Sequence, residues 1–283
     1  MTILELIQKT TAFLESKGVD EPRLHAELLL AHILGVKRIQ LYLQFERELN
    51  AKELEPLREM VRRRAEREPL QYILGKTEFF GLEFKTDARA LIPRRETEHL
   101  IETALGFFPD KNVALNAIDL GTGTGILAIT LAIHLPASRW TAVDASAEAL
   151  ALARENATRH GLGDRIRWAQ GLWWDGVEAT EKFDLLVSNP PYVKSADIQN
   201  LALELREHEP LAALGGGDDG LAAYRAILAE ARDRANPGAR LAMEIGFDQG
   251  PALRELLPTH GWKLDSYVKD LQGFERVVTA TLA

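Results

Sequence analysis

The segment Ser188-Asn189-Pro190-Pro191-Tyr192 combines residue types that could hold a flat amino group. The Asn189 amide can both donate and accept hydrogen bonds. Neither proline has an N–H, so the pair cannot continue a β-ladder and predicts a stiff loop with free carbonyl oxygens. Acceptors in one plane could take both hydrogens of an NH2 group while the Tyr192 ring packs on its face. The alternative is a proline turn with a packing tyrosine.

A glycine-rich segment upstream, Gly121-Thr122-Gly123-Thr124-Gly125, has the pattern of a nucleotide-binding turn. Glycines let the backbone approach a ligand closely, and the helix that follows offers unpaired N–H groups. About 20 residues on, Asp144 ends the next predicted strand, where a carboxylate can accept both hydroxyls of a ribose. The alternative is a tight strand-to-helix turn and an unrelated surface aspartate.

The residues around these glycines favour S-adenosylmethionine over a dinucleotide. The dinucleotide fingerprint requires Gly or Ala at its sixth position, which here is Ile126. Asp119, two residues before the glycines, would repel a pyrophosphate but suits a cationic ligand. S-adenosylmethionine carries an ammonium, a sulfonium, a ribose and an adenine, and no phosphate. Trp173, after the third predicted strand, could flank the adenine, or it could simply pack in the core.

The elements that must position these residues alternate between strand and helix from residue 113 onward, which predicts a parallel sheet covered on both faces. The connection between the last two strands is too short for a parallel crossover, so we expect that pair to be antiparallel. The predicted strands are 115–120, 139–144, 165–169, 183–188, 240–246, 263–268 and 275–282, and the predicted helices are 125–134, 147–160, 220–235 and 250–260.

Residues 1–75 have the pattern of short helices and contain no catalytic constellation. Thr2 with Glu5, and Asn50 with Glu53, are predicted capping boxes. Phe13 and its apolar neighbours in the first helix are expected to face inward. A run of arginines is predicted to be exposed on the last long helix, as a solvated face or a docking surface: Arg58, Arg62, Arg63, Arg64 and Arg67. Residues 76–92 are predicted to form a β-hairpin linker with Gly81 near its turn.

The composition excludes several classes of protein. The 283 residues include no cysteine, which excludes disulfides and thiolate metal sites. No apolar run approaches the roughly 20 residues of a membrane span, and we expect neither a signal peptide nor a location outside the cytoplasm. Residues 1–75 carry 12 basic and 12 acidic side chains, so the net charge of −8 lies entirely in the remainder. A catalytic part of that sign argues against duplex DNA binding.

Together these motifs resemble the seven-stranded methyltransferases that act on planar amino groups, and more narrowly the HemK/PrmC family of release-factor glutamine methyltransferases. Asn-Pro-Pro-Tyr is shared with DNA amino-methyltransferases, so the combination carries the resemblance. Arg95 stands where the family usually has proline, and Leu172 and Trp174 depart from the usual pattern around Trp173. Further segments similar to the family are Pro69–Gly75, Phe80–Phe84, Leu91–Glu98, Glu209-Pro210, Leu214–Leu221, Glu244–Gly246 and Asp270–Val278.

The resemblance implies a Rossmann-like class I methyltransferase domain at 93–283, with a small helical substrate-recognition domain at 1–75. It implies methyl transfer from S-adenosylmethionine, without a metal, to the side-chain amide of the glutamine in the Gly-Gly-Gln motif of class 1 peptide-chain release factors. S-adenosylhomocysteine would be the by-product. The expected cofactor contacts are Gly121–Gly125, Asp144, Trp173 and Asn189, and the expected catalytic residues are Asn189, Pro190, Pro191 and Tyr192. We expect a monomer.

Two other functions fit parts of the sequence. A nucleic-acid amino-methyltransferase acting on adenine N6 or cytosine N4 could use the same loop on a flipped base. The acidic catalytic part and the lack of an evident target-recognition domain argue against it. The second alternative is a non-catalytic nucleotide-binding module that recruits a partner through residues 1–75. The intact Asn-Pro-Pro-Tyr motif argues against a protein without catalytic activity.

Overall fold

The computed structural model describes residues 1–282, which divide into two compact units. Unit 1 comprises Met1–Lys76 together with Ala202–His208, and unit 2 comprises Thr77–Leu201 and Glu209–Ala283. A short segment from the second half of the chain thus belongs with the N-terminal helices. Nothing in the sequence patterns predicts that Ala202–His208 belongs to unit 1.

Unit 1 is helical and has its own apolar core. Both predicted capping boxes are confirmed, because Thr2 and Glu5 exchange hydrogen bonds at the first helix and Asn50 and Glu53 do so at the fourth. These side chains satisfy backbone N–H groups that a helix start leaves unpaired. The helices are α1 Ile3–Ser16, α2 Pro22–Leu34, α3 Arg38–Leu41, α4 Ala51–Ala65, α5 Leu70–Leu74 and, from the returning segment, α9 Leu203–His208.

Two expectations for unit 1 are wrong. Phe13 does not face the core but is 43% exposed, on the rim of a shallow groove with Leu54 and Val61. The Arg67 side chain is only 20% exposed, and Arg64 does not belong to an exposed arginine face at all, since it is only 3% exposed. Its guanidinium is satisfied by partners from α2 and from the returning segment, which a helical periodicity cannot reveal.

The predicted hairpin consists of β1 Lys76–Phe79 and β2 Leu82–Lys85 and turns at Phe80 and Gly81. Lys76 is the last residue of the first part of unit 1, and unit 2 begins with the rest of the hairpin, from Thr77. A single 3-10 turn, Arg95–Thr97, leads into α6. The remaining helices of the unit are α6 Glu98–Gly106, α7 Ile126–His134, α8 Ala147–Arg159, α10 Ala222–Ala231 and α11 Gly250–Thr259, and two more 3-10 turns cover Ser195–Asn200 and Leu211–Ala213.

A seven-stranded sheet forms the centre of unit 2 and confirms the predicted fold class. Its spatial order is β5-β4-β3-β6-β7-β9-β8. The first five strands in this order are parallel, and β9 is antiparallel to both neighbours, as the short last connection predicts. The strands are β3 Asn116–Leu120, β4 Arg139–Asp144, β5 Ile166–Gln170, β6 Phe183–Ser188, β7 Ala235–Glu244, β8 Trp262–Lys269 and β9 Glu275–Leu282.

Apolar residues alternate between two cores, one on each face of the sheet. Ala117 of β3 packs with residues of α6 and α7, whereas Ile118 packs with residues of α10 and α11. This alternation follows from the two-residue period of a strand. The strand expected at 240–246 instead begins at Ala235 and ends at Glu244. Its first residues are accommodated because the register with β6 shifts between Phe183 and Leu185.

The topology brings the two motifs to one edge of the sheet. Crossovers run in opposite directions from β3, since β4 lies on one side of it and β6 on the other. Ligands of open α/β sheets bind at such a switch point, beyond the carboxyl ends of the strands. Asp119 is in register with Val187, and the Ser188 hydroxyl donates to the Leu120 carbonyl at 2.6 Å. The glycine-rich turn and the Asn-Pro-Pro-Tyr loop are therefore neighbours.

Candidate active site

A cavity of about 260 Å³ opens at the carboxyl ends of β3, β4 and β6 in unit 2. Most of the sequence-predicted site residues line it, namely Gly121, Thr122, Gly123, Thr124, Asp144, Trp173, Asn189 and Pro191. Gly125, Pro190 and Tyr192 are absent from this lining. The cavity also has walls that sequence reasoning did not assign, formed by residues 89–94 and by Pro210, Ala212 and Ala213.

The glycine-rich turn is held by the end of β4. The backbone N–H groups of Gly121 and Thr122 both donate to the Val143 carbonyl at 2.9 Å, and Gly123 N–H donates to an Asp144 carboxylate oxygen at 2.8 Å. Gly125 has a positive φ of 85°, and a Cβ there would lie 2.8 Å from Ile129 Cδ1. That glycine is required by the packing of the turn rather than by the cavity wall.

Asp119 lies beneath the turn and not in the cavity wall. Its Oδ2 accepts hydrogen bonds from the Thr122 hydroxyl at 2.6 Å and from the Ala128 N–H at 3.2 Å. Its Oδ1 is buried with no hydrogen-bond partner. Burial, and to a smaller extent the negative charge of Asp144, raise the pKa of this carboxyl to about 7. A buried carboxyl of this kind stays protonated up to a higher pH than an exposed one.

Asp144 lies at the cavity wall with both carboxylate oxygens already in use. Oδ2 accepts from Gly123 N–H at 2.8 Å and Oδ1 accepts from Ser146 N–H at 2.9 Å. Burial raises its pKa, and these two N–H groups oppose that shift. A carboxylate has about four lone-pair positions, so each oxygen can still accept one hydroxyl hydrogen. The two N–H groups hold the carboxylate in a fixed orientation.

Trp173 lines the cavity, and its neighbour Trp174 does not. Trp173 has a positive φ of 53°, a conformation that costs a non-glycine residue about 1–3 kcal/mol and is enriched at functional sites. Its ring lies 3.5 Å from the position a Cβ would take on Gly121. Trp174 is buried and donates through Nε1 to the Ile227 carbonyl at 2.9 Å. Of the two tryptophans, only Trp173 can contact a ligand in the cavity.

The two arginines of the 89–94 wall are neutralised by carboxylates. Arg89 donates to Asp87 and to Glu155 at 2.8 Å each. Glu209, which is buried, accepts from the Ile92 N–H at 3.1 Å and from the Arg94 guanidinium at 2.5 Å. In the sequence, Glu209 stands out only as part of a family-like segment. In the structure it accepts hydrogen bonds from two residues of the 89–94 wall of the cavity.

The Asn-Pro-Pro-Tyr loop is clamped by a glycine-rich segment at 214–221. Gly216 N–H donates to the Val193 carbonyl at 2.8 Å, and a Cβ on Gly216 would lie 2.8 Å from Tyr192 Cα. The buried Gln249 side chain donates to the Tyr192 carbonyl at 3.1 Å and to the Gly220 carbonyl at 2.9 Å. Its own prolines and these contacts both restrict the conformations open to the loop.

A buried polar network lies behind this loop, and sequence reasoning assigned it no role. Asn189 Nδ2 donates to the Thr97 hydroxyl oxygen at 3.2 Å, and that hydroxyl donates to Glu244 Oε2 at 2.6 Å. The Tyr192 hydroxyl lies 3.4 Å from Glu244 Oε1. Thr97 and Glu244 both fall in family-like segments of the sequence, which was the only available signal. Residues 52 to 147 positions apart had to be brought together before the network could be recognised.

Within residues 1–282 no group of three or more His, Cys, Asp or Glu side chains could hold a metal ion. The same part of the chain contains no helix that is both long and apolar enough to cross a bilayer.

Comparison with known proteins settles the family. A model of the PrmC N-terminal domain matches residues 5–75, and a model of the methyltransferase small domain matches residues 102–209. The release factor glutamine methyltransferase of Geobacter sulfurreducens is 42% identical over 98% of this chain and 95% of its own. This chain belongs to the release factor glutamine methyltransferase family. The resemblance stated from the motifs is thereby confirmed.

Other relatives and structures agree with membership in this family. The release factor glutamine methyltransferase of Chlorobaculum tepidum is 43% identical over 90% of this chain and 89% of its own. A methyltransferase structure from Pyrococcus furiosus superposes with a TM-score of 0.53 at 21% identity, covering 72% of this chain and 90% of that one. The structural likeness supports the fold of unit 2, and the sequence relatives define the family.

Proposed function

We propose that the protein transfers a methyl group from S-adenosylmethionine to the side-chain amide nitrogen of the glutamine in the Gly-Gly-Gln motif of class 1 release factors. One observation carries the proposal. Asn189 of the Asn-Pro-Pro-Tyr loop and Gly121–Thr124 of the glycine-rich turn line the same cavity. A methyl donor on the glycines and an acceptor amide on the loop would then be adjacent. The names of the 36–43% identical relatives supply the substrate.

The residues present fit S-adenosylmethionine, which supplies the methyl group as a sulfonium when bound. Asp144 holds a carboxylate where ribose hydroxyls could donate to it, and the Trp173 ring offers a flat surface for adenine. Both arginines of the wall already have carboxylate partners, so the cavity has no uncompensated positive charge to hold a pyrophosphate. This distribution of charge suits a cation and not a dinucleotide.

The loop would act by orienting the glutamine amide. Its nitrogen is a weak nucleophile because the lone pair is delocalised into the carbonyl. Asn189 Oδ1 and the Pro190 carbonyl would accept its two hydrogens, and Tyr192 would pack on the amide plane. Orientation alone can contribute about 7 kcal/mol or more, and acceptors aimed at the nitrogen as it becomes positive add to that. An amide protonated on nitrogen is a strong acid, so water can take the proton that leaves.

The two units would divide the work. We assign substrate recognition to residues 1–75, a hairpin linker to residues 76–92 and methyl transfer to residues 93–283, in the cytoplasm. Exposed apolar side chains support the first assignment, since Leu43 is 82% and Ile39 is 68% exposed. Replacing Leu43 with aspartate should raise the KM for the release factor several-fold and leave cofactor affinity unchanged. An unchanged KM would remove Leu43 from the docking surface.

The decisive experiment incubates the protein with labelled S-adenosylmethionine and either a release factor or nucleic acid. Mass spectrometry of the Gly-Gly-Gln peptide should find one added methyl on glutamine. Asn189→Ala should lower this rate at least about 100-fold while the dissociation constant for S-adenosylmethionine changes by less than about three-fold. Asn200→Ala, at an exposed asparagine, is the matched control and should behave as wild type. Label in nucleic acid alone, or full activity of Asn189→Ala, would overturn the proposal.

A further inference from the structure

In the buried polar network behind the Asn-Pro-Pro-Tyr loop, counting the available hydrogens shows which group donates and which accepts each hydrogen bond. Glu244 is fully buried at the end of β7, and burial raises its pKa to about 7. The charged and titratable groups that face it are Glu96, which raises the pKa, Arg276, which lowers it, and the Tyr192 hydroxyl, which donates to it. Tyr224 of α10 also lies against it, and its hydroxyl donates to the Glu244 backbone carbonyl at 3.0 Å. Above neutral pH the Glu244 side chain is a carboxylate and can only accept hydrogen bonds.

Because Glu244 can only accept, the Thr97 hydroxyl must donate to it, and this fixes what Thr97 can offer to Asn189. A hydroxyl has one hydrogen, and Thr97 donates it to the carboxylate oxygen Glu244 Oε2 at 2.6 Å. Thr97 Oγ1 therefore presents only lone pairs to its other partner. The atom of the Asn189 amide facing it at 3.2 Å must be a donor, which is Nδ2 and not Oδ1. The Nδ2 end of the Asn189 carboxamide therefore faces Thr97, and Oδ1 is the acceptor that the carboxamide can offer to a ligand in the cavity.

We propose that Thr97 and Glu244 are positioning residues that fix the orientation of the Asn189 carboxamide, and so make the site select an NH2 group over a carboxylate. The inference rests on the function proposed above and deepens it. With Oδ1 toward the ligand, Asn189 accepts from the substrate nitrogen. If the amide were reversed, Asn189 Nδ2 would face the NH2 group of the substrate glutamine, and two donors cannot bond to each other. That orientation would instead favour the carboxylate of a glutamate in the same position.

The burial of Thr97 explains why its hydroxyl can fix the orientation of the Asn189 amide. Thr97 is 0% exposed and directly precedes α6, so no water can substitute for its hydroxyl without a cavity. Leaving a buried donor or acceptor unpaired costs more than the bond itself contributes. The two ends of a carboxamide are nearly equal in shape, so packing alone does not select one orientation. The hydrogen-bond network therefore decides which end of the Asn189 amide faces Thr97.

The test compares Thr97→Val with Thr97→Ser at pH 8. Valine keeps the volume of threonine and removes the hydroxyl, whereas serine keeps the hydroxyl. Binding is measured with S-adenosylhomocysteine present, for a full-length release factor and for a form whose Gly-Gly-Gln glutamine is replaced by glutamate. Thr97→Val should lower kcat about 10- to 100-fold and reduce the preference for the glutamine form about 10-fold. Thr97→Ser should keep both values within about three-fold of wild type.

Glu244→Met supplies an independent check through a double-mutant cycle. Without the carboxylate, the Thr97 hydroxyl can donate to Asn189, so this variant should also lose the preference for the glutamine form. In the Thr97→Val background Glu244→Met should add little further loss. If Glu244→Met does not fold, the Thr97 pair alone decides the question.

The outcomes separate this inference from the function it rests on. A wild-type protein that methylates glutamine, with a Thr97→Val variant that keeps the full kcat and preference, would overturn the positioning role and leave the function standing. Equal losses in Thr97→Val and Thr97→Ser would also overturn it, since the hydroxyl would not matter. A wild-type protein that does not methylate the release factor would overturn both.

Discussion

Arg64 Nη2 lies 2.9 Å from Glu204 Oε1, although 140 positions separate the two residues in the chain. Their side chains are 4% and 15% exposed. Arg64 also donates to His25 Nδ1 at 3.1 Å and to the Glu68 carbonyl at 3.1 Å. This ion pair ties the segment Ala202–His208 to the helices of unit 1.

Replacing Arg64 with alanine should destabilise unit 1. Glu204 keeps Arg67 as a partner, with Arg67 Nε 3.1 Å from Glu204 Oε1. His25 Nδ1 and the Glu68 carbonyl lose their donor, however, which costs about 1–3 kcal/mol. Hydrogen exchange at the amides of α4 should accelerate accordingly. Arg62→Ala, on the same helix but exposed and, within residues 1–282, paired only with Glu59 and Glu66, should leave these exchange rates close to those of wild type. Equal exchange rates in the two variants would contradict a structural role for the pair.

Replacing Gly125 with alanine should destabilise unit 2 by about 2–4 kcal/mol, since the left-handed backbone and a Cβ pressed against Ile129 and Ala153 both add cost. Gly123 also has a positive φ, but no atom lies within 4 Å of the position a Cβ would take there, so Gly123→Ala should cost only about 1–2 kcal/mol. All five tryptophans lie in unit 2, so their fluorescence during urea unfolding measures the difference. A larger loss for Gly123→Ala would refute the packing argument.

The adjacent tryptophans should respond oppositely to alanine substitution. Trp173→Ala should weaken S-adenosylmethionine binding about 10-fold and change stability little, because its ring lies at the cavity wall. Trp174→Ala should destabilise unit 2 by about 3–5 kcal/mol, because its ring is buried and its Nε1–H is bonded. Calorimetric titration with the cofactor, beside urea unfolding, checks both. Unchanged cofactor affinity in Trp173→Ala would exclude that ring from the binding site.

Asp119 should make the protein less stable as pH rises. Its pKa is raised to about 7 in the folded protein from an ordinary value near 4, so the folded state binds more protons than the unfolded state between these values. Its contribution is present below pH ~4 and is lost as pH rises through ~7, by at most about 4 kcal/mol. Asp119→Asn should therefore gain stability relative to wild type between pH 5 and pH 8.

The matched control for that experiment is Asp233→Asn, at an exposed aspartate outside the cavity. Urea midpoints at the two pH values should differ from wild type by the same amount in this variant. If Asp119→Asn showed the same pH-independent offset, the buried carboxyl would not titrate as the structure implies.

Much of the site was predictable because its signals are local. Asn189-Pro190-Pro191-Tyr192 and Gly121–Gly125 each follow an apolar strand, and the ends of neighbouring parallel strands meet at one edge of a sheet. Strand and helix alternation predicted the seven-stranded fold, and the short last connection predicted the antiparallel β9. The same reasoning could not separate Gly125, whose glycine serves packing, from Gly121 and Gly123 at the cavity wall, because that difference depends on where Ile129 of α7 and Ala153 of α8 lie.

By itself the sequence determined the periodicities, caps and turns, since these depend on neighbours within a few positions of the chain. Only the tertiary structure decided that Arg64 is buried and not exposed, that Glu209 bonds to Ile92 and Arg94, and that Thr97 and Glu244 form a network with Asn189. Each of these depends on which charged or polar group lies opposite another that is distant in the chain. Burial turns such a pairing into a requirement, because an unpaired polar group inside a protein is costly.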